Sequence, residues 1–134
     1  MGMNGQRTGI AITAVLLAAG IFSASAPKTI PYRVHAKIGF GSERLLTEHF
    51  RKHGREFGKV SKEEFLLMAQ DLRDRPLDMK ILEVVRRDGV ITRFDRRTKA
   101  FIAFERNLVI RTFFKPADGE KYFQRQLRTA RRRR

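Results

Sequence analysis

The chain has 134 residues, with 29 Lys and Arg against 14 Asp and Glu, giving a formal net charge of +15. That length allows one domain and excludes a multidomain enzyme or a large cofactor-binding barrel. There is no cysteine, which excludes a disulfide framework, a thiolate metal site and a cysteine nucleophile.

A hydrophobic fraction of 42% with 11 phenylalanines is enough to build a core. So large an excess of base points to a polyanionic partner, whether nucleic acid, anionic lipid or acidic glycan.

Residues 1–26 carry one basic residue, Arg7, then an apolar run through Ile10, Val15, Leu16 and Ile21, then Ser23-Ala24-Ser25-Ala26. This order of features is that of a secretory signal peptide, and the run is shorter than the ~20 residues a membrane span needs. Pro27 directly follows the small-residue exit, so the segment is either cleaved or kept as an anchor. Residues 27–41 read as a linker, with a short strand expected over 32–38.

Ser42 is a good N-cap, and a helix is predicted over 43–53, with Leu46 and Phe50 on its apolar side and Gly54 stopping it. Ser61-Lys62-Glu63-Glu64 has the pattern of a capping box and opens a second helix to about Asp74, with Phe65, Met68, Ala69 and Leu72 on one face. Pro76 follows it.

The second half is rich in Val, Ile, Thr and Phe. Strands are predicted over 81–86, 90–96, 100–106 and 108–114, with Asp88-Gly89 as a hairpin turn. A last short helix begins at Glu120 and runs to about Arg128. The expected architecture is α+β: two helices packed on one face of a four-stranded antiparallel meander, then a short C-terminal helix, with the signal-like helix in front. Residues 42–124 form the folded domain in this reading and 125–134 a basic tail. Residues 42–80 hold nine bases and eight acids, whereas 81–134 hold sixteen and six, so the positive field belongs to the sheet and the tail. The tail is a solvated run or an arm that grips phosphate.

Two groups of residues can carry chemistry. His49 and His53 are four apart and project from one side of the first helix. A zinc site needs a third ligand, which this spacing does not offer, so no metal and no cofactor is expected. The pair is either ordinary amphipathic surface or the acid–base groups of a reaction near neutral pH. Arg111-Thr112-Phe113-Phe114-Lys115 forms the last strand. Alternation sends Arg111 and Phe113 to one face and Thr112 and Phe114 to the other. Arg111, Thr112 and Lys115 can surround a phosphate, or they can be an exposed polar face. Lys52, Arg93, Arg96 and Lys99 are candidates to extend the positive surface toward substrate. Phe101, Phe104, Phe113 and Phe114 read as core rather than as base-stacking platforms.

Glu48-His49-Phe50 and His53-Gly54-x-Glu56-Phe57-Gly58, the Ser-Lys-Glu-Glu-Phe helix start, Arg87-Asp88-Gly89, Arg93-Phe94-Asp95 and Val109-Ile110-Arg111-Thr112-Phe113-Phe114-Lys115-Pro116 together resemble one group. It is the group of ribonuclease toxins whose fold is named for barnase, EndoU, colicins and RelE. Within it the closest resemblance is to C-terminal modules of bacterial polymorphic and contact-dependent toxins and phage-associated nucleases. The resemblance spans about Leu45 to Phe123. It implies metal-independent RNA cleavage, with tRNA a common target. It places the catalytic histidine on His49 or His53 and phosphate binding on Arg111, Thr112 and Lys115. Such a protein would act as a monomer on RNA, with an acidic immunity protein as a possible partner and a membrane involved only through an uncleaved leader. The competing expectations are a non-catalytic cationic nucleic-acid-binding module and a basic protein of the membrane surface or cell wall.

Overall fold

A computed structural model describes residues 34–132. The expected leader at 1–26, the linker up to Arg33 and the final two arginines lie outside the described residues.

Residues 34–37 form a turn rather than the expected strand. Their carbonyl groups are claimed by side chains of a helix. Gln70 Nε2 donates to the oxygens of Ala36 and Ile38 at 2.9 and 3.0 Å. Arg73 donates to His35 O at 2.9 Å and to Ile38 O at 2.5 Å. A strand ladder would need those same acceptors, and the buried Gln70 and Arg73 win them. Only Phe40 makes a β contact here, a parallel bridge to Ile110.

The helix α1 spans Glu43–His53. Ser42 Oγ accepts from Leu45 N at 3.2 Å, as its N-cap role requires. Gly54 does not stop the chain by turning left-handed. It stays right-handed and leads into a 3-10 turn, Gly54–Phe57. Its glycine is needed for space, because a Cβ there would lie 2.6 Å from the Phe50 ring. The reversal comes at Gly58, whose φ is +86°. The helix α2 spans Lys62–Asp74 and opens on the expected reciprocal cap: Ser61 Oγ accepts from Glu64 N at 3.1 Å, and Glu64 Oε2 accepts from Ser61 N at 2.7 Å.

Four strands follow, β1 (Ile81–Val85), β2 (Ile91–Asp95), β3 (Phe101–Phe104) and β4 (Ile110–Phe114), paired antiparallel in sequence order. The Asp88-Gly89 turn forms as expected, with Gly89 at φ +84°. The helix α3 spans Glu120–Arg131, so Arg125, Arg128 and Arg131 are helical rather than tail.

Each face of the sheet carries its own core. On one, Leu46, Phe65, Ala69 and Leu72 pack with Ile81, Ile102, Phe104, Ile110 and Phe113. On the other, Val90, Phe94, Phe101 and Ala103 pack with Phe123 of α3. Strand alternation supplies both sets from the same four segments. Phe101, Phe104 and Phe113 are buried, as core residues should be, while Phe114 is half-buried.

Candidate active site

The bridge from Phe40 to Ile110 places residues 39–41 along the outer edge of β4, and α1 starts immediately after it. The one-sided spacing of the two histidines then lays them along that edge. The Phe40 ring meets His49 at 5.0 Å between centroids, His49 meets His53 at 6.3 Å, and His53 meets Phe114 at 5.2 Å. Phe114 is in turn met edge-on by Tyr122 of α3 at 5.3 Å. One row of rings therefore runs from the first residue of β4 to its last.

His53 is held firmly. Its Nδ1 lies 2.8 Å from Glu56 Oε1, and Glu56 Oε2 accepts from the backbone N–H of Lys115 at 2.7 Å. The 3-10 turn brings Glu56 back beneath the ring, and the end of β4 fixes the carboxylate in place. With Nδ1 taken, Nε2 is the ring nitrogen left for a substrate. A carboxylate that orients an imidazole through one nitrogen while the other does chemistry is a recurrent arrangement for proton transfer.

His49 differs. Its Nδ1 is buried and has no hydrogen-bond partner among the described residues. Burial pushes its basicity below the ordinary value near 6.5, the charges of His53 and Lys52 push further down, and Glu48 only partly offsets them. The ring is accordingly neutral at pH 7. Among the described residues no three His, Asp or Glu side chains stand close enough to share a metal ion.

On β4 the register departs from simple alternation. Thr112 pairs with Ala103 and Ile110 with Phe104, so Arg111 bulges out of the ladder without a partner on β3. Ile110 and Phe113 consequently share one core, and Arg111 does not follow the direction of Phe113. Its guanidinium is half-exposed and lies 3.4 Å from Glu105. An exposed pair of this kind is worth only ~0–1 kcal/mol, so the cation is easily drawn to a phosphate. Thr112 is half-buried on the same strand. Lys115 contributes its backbone N–H to the Glu56 clasp, while its ammonium sits 5.1 Å from the centre of the Phe57 ring.

Of the outer candidates, Lys52 is exposed on α1 close to the histidines. Arg93 is committed elsewhere: it pairs with Glu83 at 2.6 Å and donates to the carbonyls of Leu72, Arg73 and Arg75 at 3.1, 2.8 and 2.7 Å, capping the C-terminus of α2. Arg96 is forked onto Glu120 at 2.9 Å on both branches, tying β2 to the start of α3. Lys99 is exposed in the β2–β3 turn with φ +64°.

Glu56 stands in the sequence motif His53-Gly54-x-Glu56-Phe57-Gly58 with no role that the motif alone assigns. The i, i+3 spacing from His53 was the available signal. Tyr122 gave none, because its approach to Phe114 depends on how α3 crosses the sheet.

No protein-family profile matches the chain. No curated protein is detectably similar to it.

Proposed function

We propose that this protein is a metal-independent endoribonuclease. RNA supplies its own nucleophile, the 2′-OH, so the protein needs to move protons and to stabilise charge on phosphorus. The observation that carries the reading is the His53–Glu56–Lys115 backbone relay set beside a neutral His49 along the outer edge of β4.

In this reading His49 accepts the 2′-OH proton, since it is unprotonated at neutral pH. His53, oriented by Glu56, gives a proton from Nε2 to the leaving 5′-oxygen. Arg111, released from Glu105, meets the negative charge that builds on the phosphoryl oxygens, with Thr112 orienting them. The half-exposed Phe114 offers a face on which a neighbouring base can rest. The products are a 2′,3′-cyclic phosphate and a free 5′-hydroxyl. The α+β order of elements agrees with the toxin ribonucleases that the sequence resembles, which favours tRNA as substrate and an acidic immunity protein as partner. Among the described residues no helix is long and apolar enough to cross a membrane. Export through the leader at 1–26 remains part of the proposal, read by the mass of the mature protein.

The test is digestion of tRNA by the purified protein at low salt in EDTA. Cleavage to a cyclic phosphate is expected, and His53→Ala should slow it by about 10²–10⁴-fold. Intact tRNA rejects the reading. Salt-sensitive binding without cleavage leaves the cationic binding module instead.

A further inference from the structure

Ion pairing sorts the arginines of this protein. Arg75, Arg93, Arg96, Arg97 and Arg125 each lie against an acid, namely Asp71, Glu83, Glu120, Asp78 and Asp118. These cations are spent on holding elements together. Arginines with no acid beside them among the described residues fall into two groups. Arg51 and Arg55 flank the end of α1 near His53. Arg87, Arg106, Arg128, Arg131 and Arg132 gather elsewhere, and all five are exposed.

The meander explains the second group. In an up-and-down sheet the β1–β2 and β3–β4 turns lie at the same end, opposite the β2–β3 turn. Arg87 is in the first of those turns and Arg106 in the second. The two turns touch: a Cβ on Gly89 in the first would lie 3.1 Å from Nε of Arg106 in the second. α3 begins against Arg96 at the other end and reaches this end with its last turns. There Gln126, Thr129 and Ala130 form one wall of a recess of about 300 Å³ whose opposite wall is Arg86, Arg87 and Asp88. The two acids at this end, Asp88 and Glu105, are already engaged by Arg86 and Arg111. What remains is a pole of unneutralised guanidinium groups.

We infer that this pole is a second RNA-binding surface, one that grips backbone phosphates of the strand or stem lying beyond the scissile bond. The inference rests on the ribonuclease reading for its substrate. Guanidinium groups fork onto phosphate oxygens without regard to base, and an exposed group of them favours a rigid polyanion. α3 has 12 residues and separates the two ends of the sheet by ~18 Å, roughly the rise of five base pairs. Arg111 follows the β3–β4 turn on β4, the strand whose far end is tied to His53 through Glu56, so β4 itself joins the turn that holds Arg106 to His53. A dinucleotide fills the histidine site and does not reach the pole. A stem-loop reaches both.

The experiment compares the full chain with two variants of equal charge. One is Arg87→Gln/Arg106→Gln/Arg131→Gln. The other is Lys59→Gln/Lys80→Gln/Lys121→Gln, at exposed lysines away from the pole. Binding of a labelled RNA stem-loop is followed by anisotropy over a salt series, and cleavage of the stem-loop and of a dinucleotide is followed in EDTA. The pole variant should lower the log–log salt slope by about 2–3 and weaken the stem-loop Kd at least ~10-fold at physiological salt. It should leave dinucleotide cleavage unchanged, and the control variant should change the slope much less. Equal slopes in the two variants overturn the inference, as does a pole variant whose only loss is binding to phosphatidylglycerol vesicles. If no RNA is cleaved by any form, the ribonuclease reading fails while the slopes still decide the pole.

Discussion

His49 couples the state of the site to the stability of the domain. The folded chain holds this ring below its ordinary basicity, mainly by burial. As pH falls through about 6.5, the unfolded chain takes up a proton that the folded chain refuses. Stability therefore rises with pH across that window and is lost on acidification. His49→Gln removes the titration. Thermal unfolding between pH 5 and 7.5 should show the gap between native protein and variant narrowing as the solution is acidified; a gap independent of pH would contradict this. Arg73 is the other residue whose environment dictates its effect. Its side chain is buried against Asp74 at 2.7 Å, and it binds three backbone carbonyls, those of His35, Ile38 and Leu108. Burial alone would push the Asp74 carboxyl up; the Arg73 guanidinium and the His35 N–H outweigh it and hold it low. Arg73→Leu takes the guanidinium from that carboxylate and removes one donor from each of those carbonyls, so a loss of about 3–5 kcal/mol is expected in urea unfolding.

At the scale of elements, both early helices could be read from their caps, because Ser42 and the Ser61–Glu64 box act within three residues of themselves. Strands were legible for a similar reason: period-two burial is written locally. Two features were not. The turn at 34–37 is decided by Gln70 and Arg73, more than thirty residues away, and no local rule anticipates that competition. The bulge at Arg111 depends on how β3 and β4 register, so alternation misjudged its direction while getting its strand right. Likewise Arg93 reads as one more exposed base, yet it closes the last turn of α2. Arg93→Ala should lower stability by about 1–2 kcal/mol through the lost cap and ion pair, and should leave the salt slope of RNA binding where it was. A slope reduced by ~1 would return Arg93 to the substrate surface. Gly54→Ala tests the other end of α1. It drives a methyl into the Phe50 ring and should cost about 1–3 kcal/mol by calorimetry, although the backbone angles there suit alanine.

For the whole molecule, the sheet divides labour between its faces and its ends. Both faces are covered, one by α1 and α2 and the other by α3. In the proposed reading, chemistry is left to the β4 edge and phosphate binding to the end that carries the β1–β2 and β3–β4 turns. The composition leads to the expectation of a polyanion partner, but only the pairing of individual acids with particular arginines separates the cations that brace the fold from those with no acid beside them. That distinction is three-dimensional: Asp78 meets Arg97, and Glu120 meets Arg96, from positions 19 and 24 residues apart.

Every strand in the meander pairs with no other strand than the one before or after it in the chain, and β4 gains only the single bridge to Phe40 on its outer side. Tension applied at the C-terminus meets α3 first, then β4, an edge strand that can be unzipped one hydrogen bond at a time. Tension applied at the N-terminus meets the Arg73 and Gln70 clasp on residues 35–38, where several bonds must break together. Such a domain yields more readily to a pull from its tail than from its head, a directional weakness that would govern which end enters first when the chain is drawn through a narrow channel.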